Sequence, residues 1–289
     1  LRITSETHPT SENDSINTGG FINTVFNAAN NGVKLIIYAS SSAVYGDAKK
    51  IPIHESSKLK PISPYALTKL INENYASLLA KLYPEISFIG LRFFNIFGLW
   101  QESDSGYAAV IPKWIKCFLN GERPIIYGDG NASRDYCNIK NINELINNIL
   151  SNTEKIDSGV FNVGTGKETT LNELYESIRQ VMTRFLPSDK IISPEFLPYR
   201  DGDIERSVAD ISALNDKLKF KPQANLLKDI EEIIMTEYKR FHLSKTRSGH
   251  IKAVEKRDRF GKYKTDDSSL VSFEFDDFQT ATFKSGSLI

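Results

Sequence analysis

The stretch "SPYALTK" sets Tyr65 and Lys69 four residues apart behind a helix-start signal. A phenol and an ammonium one helical turn apart can form a proton-transfer pair, with the ammonium favouring the tyrosinate. They can equally be a solvated turn of a surface helix, and spacing alone leaves both readings standing. The same Tyr-x-x-x-Lys pattern occurs at Tyr45–Lys49 and at Tyr136–Lys140. Gly46 and Asp47 place the first of these in a turn, where a spacing of four does not bring side chains together. The second lies in "RDYCNIK", read as a short extended piece whose positions four apart share a face without touching. Only Tyr65–Lys69 falls in a well-marked helix. Ser63 suits its N-cap, Pro64 its first position, and Pro84 ends it.

Ser41 supplies the context. It ends one apolar run while Tyr65 opens the next helix, so both can converge on the carboxyl edge of a sheet. A free tyrosine has a pKa near ~10, and using it as a base at neutral pH costs about 4 kcal/mol. An ammonium ~6 Å away offsets roughly 3 kcal/mol of that at an effective dielectric of ~20. A serine hydroxyl would hold the substrate oxygen whose proton moves.

The elements that must position these groups alternate along the chain. "FINTVFNAANNG" spaces Phe21, Val25, Phe26 and Ala29 as a helix that Gly32 can stop. "GVKLIIYASSSAVYG" is an apolar run from Val33 to Tyr38 that turns abruptly to serines, the pattern of a buried parallel strand. After the Ser63 helix, whose apolar stripe is Leu67, Leu70, Ile71, Tyr75, Leu78 and Leu82, "ISFIGLRFFNIFG" reads as a second buried strand that turns polar at Asn95. On this spacing, Tyr65 and Lys69 share a face separate from the main core contact. The alternation predicts an α/β, doubly wound, Rossmann-like parallel sheet over residues 1–98. From 99 to 241 loops lengthen and elements shorten, as in a smaller α/β substrate domain that weaves back into the sheet through "GVFNVGTG". Residues 242–289 form a tail with a basic start and an alternating end fit for a β-hairpin.

Composition narrows the function class. The formal net charge is zero across 289 residues, so no basic field for nucleic acid is expected. No apolar stretch approaches a membrane span, and no signal peptide is visible. Cys117 and Cys137 make neither a metal pair nor a disulfide framework, and the four histidines are scattered. The expectations are no metal site and a cytoplasmic location.

The motifs "YASSSAVYGD", "SPYALTK", "LRFFNIFG", "YAAVIPKWI", "GDGNASRDYCNI", "FNVGTG" and "YRDGDIERSVADIS" together resemble the extended short-chain dehydrogenase/reductases, and within them the nucleotide-sugar epimerases. The resemblance runs from about Asn17 to Phe241. It implies that Tyr65 is the catalytic base, Ser41 its partner, and Lys69 the group that lowers its pKa and holds the ribose of NAD. Asn17 and Phe93 would line the nicotinamide side. Ser41, Ser42 and Asn95 would meet the UDP-sugar, Ile125 and Tyr127 would wall the uracil, and Arg134, Arg200 and Asp203 would grip phosphates and ribose. Arginine suits phosphate oxygens, and a carboxylate suits ribose hydroxyls.

Two departures narrow the implied reaction. Ser42-Ala43 stands where the family's dehydratases carry Asp-Glu, which argues against dehydration. Ser207 stands where epimerases confined to UDP-glucose and UDP-galactose carry a bulky tyrosine, leaving room for an N-acetyl group. The resemblance therefore implies a UDP-N-acetylglucosamine 4-epimerase of polysaccharide biosynthesis, homodimeric through the helices starting near Thr18 and Pro64. Two alternatives are a remnant that only binds UDP-sugar and a UDP-uronate epimerase or decarboxylase. The family's N-terminal glycine-rich loop is not found. "VFNVGTGKETTLNEL" runs strand, Gly-x-Gly, helix, but Thr169 stands where the third glycine belongs, and Gly166-Lys167 is followed by Glu168, so a P-loop fails as well. The chain is therefore expected to be an N-terminally truncated copy with no cradle for the NAD pyrophosphate.

Overall fold

The computed structural model describes residues 14–103, 109–152, 156–200, 202–246, 271–275 and 278–283. The basic run at 252–264 lies outside them.

A π-helical turn, Ser15–Gly19, runs directly into α1 (Gly20–Asn30), which buries Val25. Strand β1 (Leu35–Ser41) starts two residues later than the apolar run and continues through the serines, because its pairing with β2 (Ser87–Phe93) extends to Ser41↔Phe93. Between them lies α2 (Pro64–Leu82), with Ser63 accepting from the Ala66 N–H as N-cap and Pro64 in the first turn. After β2 come β3 (Asn95–Phe97), α3 (Val110–Asn120), β4 (Ile125–Tyr127), β5 (Ser133–Arg134), β6 (Tyr136–Asn138) and α4 (Ile139–Ser151). Lys140 thus stands in a helix and Tyr136 in a strand, so the "RDYCNIK" piece is extended only as far as Asn138. Then follow β7 (Gly159–Val163), β8 (Thr169–Thr170), α5 (Leu171–Met182), β9 (Glu195–Leu197), β10 (Arg206–Ser207), α6 (Ser212–Leu218) and α7 (Leu226–Thr246).

The central sheet has the order β1-β2-β7, all parallel. The segment "GVFNV" therefore returns to the sheet from the far side of the α3–α4 region. Pleat alternation sorts the core to two faces. Tyr38 and Phe88 point to α1 and α2, where Val25, Ala76 and Leu79 meet them. Ile89, Leu91, Phe161 and Val163 point the other way, to Ile142, Leu145 and Ile149 of α4 and Leu214 and Leu218 of α6. Helices on both faces of a parallel sheet make the fold doubly wound.

One expectation fails on α2. The Leu67–Leu82 stripe is not its buried face: Leu67, Leu78 and Leu82 are exposed at 49%, 58% and 71%. The buried residues are Ala66, Thr68, Asn72, Glu73, Ala76 and Leu79. At ~100° per residue these positions centre about 10° from Tyr65 and about 30° from Lys69, so the pair lies on the sheet-facing side. Polar residues can face the sheet because each has a specific partner. Thr68 Oγ1 donates to Tyr65 O (2.8 Å), Asn72 Nδ2 to Asn17 O (3.0 Å), and Glu73 accepts from Arg92.

The chain divides into two compact units, Leu1–Tyr238 and Lys239–Ile289. Within the second, β11 (Val271–Phe275) and β12 (Phe278–Phe283) pair antiparallel, as the alternation there suggested. No described helix is long and apolar enough to cross a membrane.

Candidate active site

At the end of β1 the Ser41 hydroxyl accepts from the Ala43 N–H (3.2 Å), turning the chain into a short 3-10 helix that starts at Ser42. Gly46 follows with φ +61°, and a side chain there would sit 2.2 Å from the Lys60 carbonyl, so only glycine lets the returning segment pass this close. That return delivers Ser63 and the first turn of α2 to the strand ends. Tyr65 faces Ser41 there, close enough for the serine hydroxyl to act on its pKa. Its phenol sits at the positive end of a long helix, which favours a developing phenolate. Burial raises the Tyr65 pKa, and the Ser41 hydroxyl offsets part of that rise. Lys69, one turn on, donates to Ala39 O (3.1 Å) with Nζ 5.6 Å from the centre of the Tyr65 ring. Burial lowers its pKa. The ammonium thus stands over the Tyr65 ring, while burial dominates the pKa of the phenol.

Phe93 closes β2 opposite Ser41. Asn17, in the π-helical turn, is tied by its carbonyl to Asn72, three residues past Lys69 on α2. Ser41, Tyr65, Lys69, Phe93 and Asn17 therefore gather at the carboxyl end of the sheet. The other two tyrosine–lysine pairs do other work. Tyr45 is fully buried, donating to Asn162 Oδ1 (2.6 Å), while Lys49 pairs with Asp47. Tyr136 is buried, and Lys140 reaches away to Glu232.

Two residues past Phe93, Asn95 opens a cavity of about 610 Å³. Two residues of extended chain span only ~7 Å, so the cavity adjoins the Ser–Tyr–Lys edge. Ile125, Tyr127, Arg134, Arg200 and Asp203 line it as well. Arg200 donates to Asp203 (Nε–Oδ2 2.9 Å) and lies 4.3 Å over the Tyr127 ring, so this arginine is held flat against the wall. Arg134 Nη1 is anchored on the carbonyls of Ser133 (2.8 Å) and Glu205 (3.3 Å). Two aimed guanidiniums beside an aromatic face can take a phosphate-bearing ligand with a planar base.

Ser207 is buried beside Arg134 in the β10–β5 register and does not line the cavity. Sequence reasoning missed Lys113, Trp114, Tyr136 and Tyr199, which do. Trp114 Nε1 fixes the wall by donating to Ile125 O (3.1 Å). The signal for Tyr199 was Gly128, where φ is +80° and any side chain would strike the Tyr199 ring. The Tyr136 hydroxyl is buried and unpartnered, and nothing in the sequence marks it.

The "GTG" turn after β7 is engaged internally. The Asp135 carboxylate accepts from Thr165 N (2.7 Å), Thr165 Oγ1 (2.8 Å), Gly166 N (2.9 Å) and Ala209 N (3.2 Å). A side chain at Gly164 would lie 2.3 Å from the same carboxylate.

A parallel sheet wound on both faces, with Ser, Tyr and Lys meeting at its strand ends, defines the extended short-chain dehydrogenase/reductase class. A family model described as the NAD dependent epimerase/dehydratase family matches residues 5–164, and the chain belongs to that family. NAD is the family's cofactor. The solved UDP-N-acetylglucosamine 4-epimerase of Methanobrevibacter ruminantium M1, in complex with UDP-N-acetylmuramic acid, is 37% identical. It superposes with a TM-score of 0.71, covering 80% of this chain and 70% of that one. The UDP-glucose 4-epimerase of Thermotoga maritima, with UDP-glucose, gives a TM-score of 0.73 at 28% identity, covering 83% and 74%. The UDP-glucose 4-epimerase of Mycolicibacterium smegmatis is 30% identical over 204 residues, which are 70% of this chain. The chain spans 62% of that relative's length.

Proposed function

We propose that the protein epimerises a UDP-hexose at C4, interconverting UDP-N-acetylglucosamine and UDP-N-acetylgalactosamine. The observation that carries this reading is the Ser41–Tyr65–Lys69 cluster opening onto a cavity lined by Arg134 and Arg200. Ser41, Tyr65, Lys69, Phe93 and Asn17 would hold the nicotinamide end of NAD, which would supply a reversible hydride acceptor for C4. Tyr65 removes the C4 hydroxyl proton and later gives it back, while Ser41 holds that oxygen and Lys69 favours the phenolate. Arg134, Arg200 and Asp203 hold the UDP, with Tyr127 and Ile125 against the uracil. The sugar is then free to turn over between the two proton transfers. Ser42-Ala43 offers no extra acid and base for removing water.

The described residues fit one end of NAD better than the other. Ser41, Tyr65, Lys69, Phe93 and Asn17 suit the nicotinamide riboside end. The Gly164–Gly166 turn does not suit the pyrophosphate, because Asp135 already occupies its amides. The 289 residues alone are therefore expected to bind UDP-sugar while holding NAD only weakly. Calorimetric titration checks this, and micromolar NAD affinity for those residues alone would refute it. The exposed stripe of α2, beside α1, is the face for a second copy of the chain.

The deciding assay uses the protein as its full coding sequence specifies it. Turnover is measured on UDP-N-acetylglucosamine, UDP-glucose and UDP-glucuronate side by side. Turnover of the glucuronate alone would replace this reading with a uronate enzyme.

A further inference from the structure

A charged pair buried inside an α/β sheet calls for an explanation, because two well-packed apolar side chains would serve stability as well or better. Glu73 and Arg92 form such a pair, with side chains only 6% and 3% exposed. Arg92 Nε and Nη2 bind the two carboxylate oxygens at 2.8 and 2.7 Å. Ser40 Oγ adds a third bond to the carboxylate at 2.5 Å. Arg92 Nη1 continues to the Tyr45 hydroxyl (2.7 Å) and to Glu55 O (3.0 Å). Burial opposes the Arg92 charge, yet the hydrogen bonds and charge of Glu73 hold its pKa above the ordinary arginine value. The arginine is therefore a permanent cation, locked to its partner.

The position of the bonds matters more than their number. Ser40 precedes Ser41 on β1, and Arg92 precedes Phe93 on β2. Glu73 stands one helical turn beyond Lys69 on the sheet-facing side of α2. Tyr45 and Glu55 belong to the loop that carries the chain from Ser41 to the start of α2. The Glu73–Arg92 pair thus ties together β1, β2, α2 and the loop between Ser41 and α2, with the carboxylate holding Ser40 and the guanidinium holding Tyr45 and Glu55. Consecutive strand residues alternate across the pleat, so fixing Ser40 toward α2 also fixes where Ser41 leaves the sheet.

We infer that Glu73, through Arg92 and Ser40, is a positioning residue that sets the register of Ser41 against Tyr65 and Lys69. The inference rests on the proposed epimerase reading for its kinetic consequence and on geometry alone for its structural one. Replacing both charges together separates the two roles. Glu73→Met combined with Arg92→Met should keep the melting temperature near wild type, since the cavity stays filled and no charge is stranded. The KM for UDP-sugar should stay within about threefold while kcat falls about 100-fold, the cost of misplacing a reacting group by roughly 1 Å. A folded double variant with wild-type kcat overturns the inference.

Ser40→Ala is the second variant, small enough to fold if the double variant does not. It should lower kcat about fivefold at unchanged KM, with a modest fall in melting temperature, as expected for one lost hydrogen bond to a charged group. The Ala43 amide, which the Ser41 hydroxyl accepts, gives a readout that needs no turnover. Its hydrogen exchange should speed up about tenfold in Ser40→Ala as the serine loosens. Unchanged exchange and unchanged kcat overturn the inference. A wild-type protein inactive on every UDP-hexose sinks the epimerase reading instead, and the exchange measurement then decides the positioning role by itself.

Discussion

Helices α2 and α4 pack on opposite faces of the same strands and follow opposite rules. α4 turns Ile142, Leu145 and Ile149 to the sheet, the ordinary amphipathic arrangement. α2 turns Thr68, Asn72 and Glu73 to the sheet together with Tyr65 and Lys69, and leaves Leu67, Leu78 and Leu82 outside. The first helix holds on by apolar area, which is tolerant of detail. The second adds directional bonds to the apolar contact of Ala76 and Leu79, and these fix position to within the tolerance of a hydrogen bond. A helix that carries reacting groups gains from the second kind of attachment, and its unused apolar side becomes available to a partner.

The sharpest way to break this contrast is at its reactive end. Tyr65→Phe should lower kcat about 10³-fold, within the usual span for removing a general acid–base group, while the melting temperature changes little. The pH profile sharpens the point. Burial raises the pKa of Tyr65, so turnover should climb as pH rises and the phenolate fraction grows. Ser41→Ala removes the hydroxyl that offsets that rise, and the ascending limb should move to higher pH. A limb that stays in place or moves down breaks the assignment of Tyr65 as the base.

Stability should show the reverse ranking. Leu145→Ala on α4 empties a fully buried site and should cost roughly 2–5 kcal/mol, with kcat per folded molecule retained. Leu78→Ala on α2 lies at 58% exposure and should change the stability of a single chain by less than about 0.5 kcal/mol. Leu78→Glu should instead abolish self-association seen by sedimentation velocity, without unfolding the chain. A large loss of single-chain stability from Leu78→Ala would return that stripe to the core.

How far the sequence could be read follows the same division. Strands β1, β2 and β7 announced themselves as apolar runs between polar turns, and Ser41, Tyr65 and Lys69 by type and order along the chain. The cavity residues Tyr127, Arg134, Arg200 and Asp203 were legible through local motifs. The orientation of α2 was not, because periodicity assumes that apolar residues face inward. That assumption fails where buried polar groups such as Asn72 and Glu73 have partners far along the chain. Nothing local tells Glu73 that Arg92 will stand opposite, although an arginine inside an otherwise apolar strand is a sign that some carboxylate must meet it. Ser207 shows the converse: its motif was visible, but only the structure places it buried beside Arg134 in the β10–β5 pairing and off the cavity wall.

A small effect is expected at an exposed counterpart of the Glu73–Arg92 pair. Glu168 accepts from Arg206 twice at 2.7 Å and from Ser133 Oγ at 2.5 Å, binding the start of β8 to β10 and β5. Those bonds, Arg206 first and Ser133 second, hold the Glu168 carboxyl down at about 2. Because the folded pKa lies below the unfolded one, the pair stabilises above about pH 4.5 and its contribution fades as pH falls toward 2. With the Glu168 side chain 35% exposed, solvent screening keeps that contribution below about 1 kcal/mol. Glu168→Gln should therefore lower the melting temperature slightly at neutral pH, and the gap to wild type should close by about pH 2. A gap that persists in acid would mean that the side chain acts through shape and neutral hydrogen bonds. The surface pair would then resemble the buried one in being directional first and electrostatic second.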